Sequence, residues 1–168
     1  MSVFHSVSAL CNAGFDMLGT EGLRFVSLSG YGDNIWLNMV IMLLIIIGGI
    51  GFLTWEDFYE NKLNFRRYRM QSKVILITTV LLIILPAILF FANDFGEFLF
   101  KKRLLYSIFQ SVTTRTAGFN TADLPLMTEA GKAVMILLML IGGSPSSTAG
   151  GMKTTTFAVL ILNAFATF

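Results

Sequence analysis

Apolar residues fall in long uninterrupted stretches along this chain, not in the alternating or one-faced patterns of a soluble domain. Ile35 to Trp55 is almost wholly apolar and long enough as a helix to cross a hydrocarbon layer of ~30 Å. Val74 to Ala92 is a second such stretch, and Pro86 within it is expected to kink the helix. The third apolar region is interrupted. Ala133 to Ile141 is apolar but short, Gly142 to Lys153 is rich in Gly, Ser and Thr, and Phe157 to Phe168 is apolar again. Neither half spans alone, and together they predict one broken helix. Gly48-Gly49-Ile50-Gly51 in the first stretch offers either a smooth face for close helix contact or a weak point.

Between these stretches the chain repeats itself. Phe4-His5-Ser6-Val7-Ser8-Ala9-Leu10-Cys11-Asn12-Ala13-Gly14-Phe15 returns as Phe109-Gln110-Ser111-Val112-Thr113-Thr114-Arg115-Thr116-Ala117-Gly118-Phe119. Both copies open Phe-x-Ser-Val and close Ala-Gly-Phe, and the first is one residue longer. Each precedes an apolar stretch, so the repeat predicts a duplicated structural unit: short helix, glycine turn, membrane helix. Small hydroxyl side chains can bond back to helix carbonyls and pack tightly. A helix C-terminus carries roughly half a negative charge, which favours a cation. Gly14 and Gly118 reach backbone angles closed to other residues, so neighbouring carbonyls can turn inward and replace an ion's hydration. Phe15 and Phe119 are expected to wedge each loop against surrounding helices. For one copy alone, a surface helix with a glycine cap is the plainer reading; two copies before two spans favour the re-entrant one.

Composition agrees with a membrane protein. The chain is 55% hydrophobic with mean hydropathy +0.73, and 13% charged, against about 25% charged residues in soluble domains. A net charge of +2 gives no footing for a nucleic-acid partner. One cysteine, Cys11, excludes an internal disulfide framework and a multi-cysteine metal site. No signal-peptide pattern is expected at the start. The second repeat copy is preceded by a span and the first is not, so the chain is expected to be a fragment, or a truncated reading frame, of something longer.

Charge bias sets an expected orientation. Residues 56–73 hold Lys62, Arg66, Arg67, Arg69 and Lys73 against Glu56, Asp57 and Glu60, which predicts a cytoplasmic loop. Asp16 to Asn34 holds Asp16, Glu21 and Asp33 against Arg24 alone, which suits the outside. Lys101-Lys102-Arg103 then sits in an outer loop and runs against the rule, with Asp94 and Glu97 nearby. The expected fold is an all-α membrane protein of repeated helix–pore loop–helix units. Residues 1–55 form a partial unit, with a pore loop at 4–18 and a membrane helix at 35–55. Residues 74–168 form a whole unit: membrane helix 74–92, pore loop 106–121, and a broken helix 132–168 with a Gly/Ser-rich intramembrane loop at 142–153.

Ser111 to Thr121 closely resembles the third pore loop of the Trk/Ktr/HKT potassium-transporter superfamily, nearest to the Ktr membrane subunit. His5 to Phe15 resembles that family's second pore loop, and Gly142 to Thr156 its interrupted helix after the third. The resemblance implies a pore of four covalently linked units, of which this chain carries the second, without its first helix, and the third. It implies that the carbonyls of Asn12, Ala13 and Gly14, and of Thr116, Ala117 and Gly118, supply two of four walls of a potassium filter. It implies that Gly142, Gly143, Ser144, Ser147, Thr148, Gly150, Gly151 and Lys153 belong to a gate beneath that filter. The expected cargo is K+, with Na+ left open, and no cofactor is expected in this chain. The expected partners are the missing pore units, a second copy in a homodimer, membrane lipid, and a cytoplasmic ring of nucleotide-binding, KtrA-like regulatory subunits. The basic segment Asn61 to Lys73 faces the side such a ring would occupy. The expected location is a bacterial plasma (inner) membrane, multi-pass, and no enzymatic activity is expected.

Single residues leave alternatives open. Lys153 lies between two apolar half-helices and either acts in the gate, by charge or by anchoring the loop, or snorkels to the cytoplasmic face. Arg115 is either pinned by a carboxylate, bracing the loop, or reaches the outer rim. His5 is expected to pack in its short helix and not to bind metal, and Cys11 to fill a small gap. Asp16 and Asp123 either draw cations to the outer mouth or cap a turn. Gly142 to Thr154 lacks the Gly-Lys-Thr of a phosphate loop and follows a membrane helix instead of a strand, so nucleotide binding is rejected. Two rival readings remain: a secondary transporter with broken helices and a midplane site, and a non-functional remnant.

Overall fold

A computed structural model describes residues 2–19, 26–62, 64–122 and 124–167. Glu21, Arg24, Asp123 and Phe168, named from the sequence, lie outside them. The helices are α1 (Ser2–Leu10), α2 (Ile35–Ile50), α3 (Phe52–Asn61), α4 (Met70–Asn93), α5 (Phe100–Thr113), α6 (Glu129–Leu140) and α7 (Thr154–Thr167). No strand occurs among the described residues; the nearest approach is one isolated bridge between Ile141 and Met152.

Among the described residues, α4 is the one helix that by itself is long and apolar enough to span. It starts at Met70, ahead of the expected Val74, and presents Ile77, Leu81, Ile84, Leu85 and Ile88 outward, each half exposed or more. Its other face packs on α5, α6 and α7. Pro86 does not divide it. A proline leaves the carbonyl four residues back without its donor, here that of Leu82. The Ser111 hydroxyl on α5 sits there, 2.7 Å from the Ile83 carbonyl and 3.4 Å from that of Leu82. At the far end, Arg103 donates through Nε to the Phe91 carbonyl (2.6 Å), with its guanidinium over the Phe91 ring. Lys102 pairs with Asp33 at 2.6 Å, and that carboxylate holds the ammonium above its ordinary pKa. Two of the three basic residues that ran against the charge rule thus have local partners at the start of α5.

The expected single membrane helix 35–55 is corrected, and its glycine cluster is the weak point: α2 ends at Ile50, and α3 departs from it at 95°. Gly51 makes the corner at φ +91°, a conformation open to glycine. A Cβ there would lie 2.5 Å from the Pro145 carbonyl oxygen. Residues 56–73 are therefore not simply a loop, since α3 runs to Asn61 and α4 begins at Met70. The tie between α3 and α4 is Asp57, 1% exposed. Its carboxylate accepts from the Ser72 hydroxyl and the Arg69 backbone N–H, and pairs with the Arg69 guanidinium at 3.4 Å. Asp57→Ala should lower stability by about 2 kcal/mol, because charge-assisted bonds are lost and a buried hydroxyl loses its partner. Thermal unfolding in detergent checks it, with Asp57→Asn expected to lose less.

α1 and α5, the two short helices of the repeat, both pack on α2. Ala9, Ile41, Met42, Ile45, Phe109, Val112, Ala117 and Phe119 form the shared core. Apolar area here is buried between the two repeat copies, which fixes them side by side.

Candidate functional site

α1 and α5 end at corresponding points of the repeat, and the turns after them are built alike. Past each helix the chain turns at a glycine with positive φ: Gly14 at +70° and Gly118 at +82°. The Ala13 N–H returns to the Ser8 carbonyl, and the Gly118 N–H to that of Thr113. The Ser8 hydroxyl then donates to the Phe15 carbonyl at 2.8 Å, and the Thr113 hydroxyl to the Phe119 carbonyl at 2.7 Å. These two hydroxyls occupy the same place in the repeat. The sequence pattern had them bonding backward into the helix, as Ser6 and Thr114 do; they reach forward instead and clip each hairpin shut.

The hairpins touch. A Cβ on Gly14 would lie 1.8 Å from the carbonyl oxygen of Ala117, so the two turns are in backbone contact there. Asn12 and Thr116 also take positive φ, +52° and +140°, which is costly for non-glycine residues and concentrates at functional sites. Among the described residues, none of the carbonyls of Asn12, Ala13, Gly14, Thr116, Ala117 and Gly118 accepts a hydrogen bond. Those of Cys11, Thr114 and Arg115 beside them accept none either, whereas those of Leu10, Phe15, Thr113 and Phe119 do. Buried backbone carbonyls are normally paired; Ala13 and Gly118 are exposed, and the unpaired oxygens of the two turns are left able to accept from another group.

Beneath the hairpins, residues 142–153 form the irregular segment between α6 and α7. It is stitched to the C-terminal end of α2. The Ser144 N–H donates to the Gly49 carbonyl at 3.0 Å, and its buried hydroxyl lies against the carbonyls of Gly49 and Ile50. The Thr148 N–H donates to the Gly48 carbonyl, and the Phe52 N–H to that of Ser146. A helix end leaves its last carbonyls without partners, and this segment satisfies those of α2. Close approach demands the glycines: a Cβ on Gly48 would lie 1.9 Å from the Leu10 oxygen, and one on Gly142 would lie 1.6 Å from that of Gly150. Gly151 turns at φ +73°, and the Ser147 hydroxyl closes the inner turn on the Ser144 carbonyl.

Asn12, on the turn just past α1, joins the two layers. Its Nδ2 donates to the Thr148 hydroxyl (3.1 Å) and to the Ile45 carbonyl (3.4 Å), while its Oδ1 accepts from the Thr116 hydroxyl (3.4 Å). Thr148 in turn donates to the Leu10 carbonyl at 2.8 Å. One side chain thus touches both hairpins and the segment below. Its presence in the longer copy, where the repeat has an extra residue, was the available signal for it. A cavity of about 20 Å³ lies between these layers, lined by Asn12, Thr79, Arg115, Thr116, Gly143 and Ala149 among others; it has room for about one water-sized particle.

Other expectations need correction. Arg115 is 8% exposed, so it does not reach a rim, and no carboxylate pins it among the described residues; its Nη2 donates to the Gly142 carbonyl at 3.4 Å. It braces the loop through the segment below. Cys11 is exposed on this chain and fills no gap. Phe119 is buried, but Phe15 is exposed and wedges against nothing here. Asp16 accepts from the Leu18 N–H and so caps its own turn. His5 Nε2 lies 3.5 Å from the Met17 N–H, on the returning arm of the first hairpin. Lys153 is half-buried and donates to the Ala149 carbonyl at 2.8 Å, which anchors the segment to itself.

The comparisons agree with one another. A family model described as TrkH, cation transport protein, matches residues 1–168. The chain is 42% identical over 99% of its length to a potassium/sodium uptake protein, NtpJ, of Enterococcus hirae. It is 34% and 36% identical to the Ktr system potassium uptake protein B of Vibrio alginolyticus and of Bacillus subtilis. It spans little more than a third of these relatives, 36–37% of their length. The crystal structure of the potassium transporter TrkH from Vibrio parahaemolyticus shares its fold, with a TM-score of 0.78 at 20% identity, over 98% of this chain and 34% of that one.

Proposed function

Since the chain belongs to the TrkH family of cation transport proteins, which are membrane proteins and not enzymes, we propose that its two hairpins form part of a potassium-selective path. The six free carbonyls around Gly14 and Gly118 carry this reading. Carbonyl dipoles held by the Ser8 and Thr113 clips replace the hydration of an alkali cation at little reorganisation cost. K+ is the cargo, as the names of the relatives say of those proteins; whether Na+ accompanies it is a matter for flux measurement. The remaining walls come from further units of the same subunit. The assembly is a homodimer in the plasma membrane, governed by a cytoplasmic nucleotide-binding ring.

Residues 142–153 act as the gate in this reading. The segment closes the space under the hairpins and is held by Ser144, Thr148 and Arg115. Opening means exchanging these bonds for others, so regulation acts on a two-state element.

The test is a chimera in which this chain replaces the matching segment of the Enterococcus hirae protein, expressed in a potassium-uptake-deficient bacterium. Restored growth at low potassium supports the reading. A chimera that inserts normally but moves no potassium overturns it. In that chimera Lys153→Met removes the bond to Ala149. Uptake without the regulatory ring should rise about fivefold, the equivalent of roughly 1 kcal/mol for a half-exposed charge-assisted bond. Unchanged uptake would return Lys153 to a passive role.

A further inference from the structure

We propose that α3 is an interfacial helix lying flat in the headgroup layer of the bilayer, with the basic turn after it holding anionic phospholipid headgroups. α2 crosses the apolar layer and α3 leaves it at 95°, so α3 runs nearly parallel to the membrane plane. The lengths agree. α2 has 16 residues, about 24 Å of helix, which falls short of a ~30 Å hydrocarbon layer. A helix seated at the boundary of headgroups and acyl chains sits ~5–10 Å deep, which makes up the difference.

The faces of α3 agree too. At 100° per residue, Thr54 and Asp57, both buried, point to the protein. Phe52, Trp55, Phe58 and Tyr59 fall together on another arc, and Glu56 with Glu60 on a third. Phe52 is 69% exposed and Tyr59 88% exposed, although all four aromatics lie at the end of an apolar span. Trp55 is held in place, with its indole N–H on the Ile47 carbonyl at 3.1 Å and its ring edge-on to Phe58. Indole and phenol rings with one wet end favour the membrane interface.

The charge beside this arc selects the lipid. Lys62, Arg66 and Arg67 follow α3 directly and are exposed, and none forms an ion pair among the described residues. Of the acidic groups on α3, Asp57 and Glu56 are taken by Arg69, and Glu60 is left. Three free cations against one free carboxylate give a surface suited to phosphates, where each basic side chain contributes about 1 kcal/mol. None of this depends on the filter or the gate.

Trp55 and Trp36 are the two tryptophans, so Trp36→Phe leaves a single reporter. The protein is reconstituted in vesicles of phosphatidylcholine with phosphatidylglycerol, one lipid at a time carrying bromine, either near the headgroup or deep in the chain. Trp55 fluorescence should be quenched more by the shallow label than by the deep one, and more by brominated phosphatidylglycerol than by brominated phosphatidylcholine. Lys62→Gln, Arg66→Gln and Arg67→Gln should each cut the preference for the anionic lipid by up to about fivefold while leaving the depth unchanged. Trp55 that no brominated lipid quenches would mean that another protein surface or water covers α3, and would overturn the proposal. Equal quenching by the two headgroups, or a deep label stronger than a shallow one, would overturn it as well.

Discussion

Gly14→Ala should reduce potassium flux by about a hundredfold while the protein still inserts in the membrane. Two costs add. Alanine at φ +70° pays ~1–2 kcal/mol for the left-handed conformation. Its methyl group would also lie 1.8 Å from the Ala117 oxygen, and relief of such an overlap costs ~1–3 kcal/mol in displaced backbone. About 3 kcal/mol in all is roughly two decades in the population of the intact geometry. Gly118→Ala is the matched control. It turns at φ +82° but has open space where its Cβ would go, so it pays the first cost alone and should lose only about tenfold. Rubidium uptake into vesicles measures both. Equal losses would mean that the contact between the hairpins does not matter for transport.

Ser144→Ala combined with Thr148→Val should act in the opposite direction and raise uptake in the absence of the regulatory ring by about thirtyfold. Both substitutions keep volume and remove a hydroxyl. Together they strip the side-chain bonds to the carbonyls of Gly49, Ile50 and Leu10, and the acceptor for Asn12. At ~1 kcal/mol net for each hydroxyl, about 2 kcal/mol shifts the closed segment toward release. Flux that falls, or stays level with the segment shown loosened by hydrogen exchange, would mean that residues 142–153 do not limit the path.

The helical fold and the family were both legible before any coordinates. Apolar runs marked α4 and most of α2, and the repeat with its glycines led to the family. The glycine cluster at 48–51 offered a weak point as one of two readings, but the sharp corner at Gly51 was not fixed by it, because hydropathy continues through Phe52 and Leu53 on its far side; what meets the chain there is Pro145 and Ser146, remote in sequence. Pro86 shows the same dependence on remote residues: the hydroxyl that lies 3.4 Å from the Leu82 carbonyl, deprived of its donor, is that of Ser111 on another helix. Arg115 was read as either pinned by a carboxylate or reaching the rim, when tertiary structure brings it the Gly142 carbonyl. Around the hairpins, the sequence marked the glycine turns after the two short helices, but not the direction of the Ser8 and Thr113 bonds, which depends on side-chain rotamers.

The extra residue in the first hairpin has a consequence for how such a pore changes over evolutionary time. In an assembly of identical chains, one codon change at a lining position is multiplied by rotational symmetry and alters every wall together. Here an amide at Asn12 faces a hydroxyl at Thr116, and the two are encoded separately. Under the four-unit arrangement proposed for the full subunit, a substitution at either position moves one quadrant and leaves the others unaltered. Ion preference can then drift in quarter steps, each small enough to be tolerated and later offset by a change across the axis.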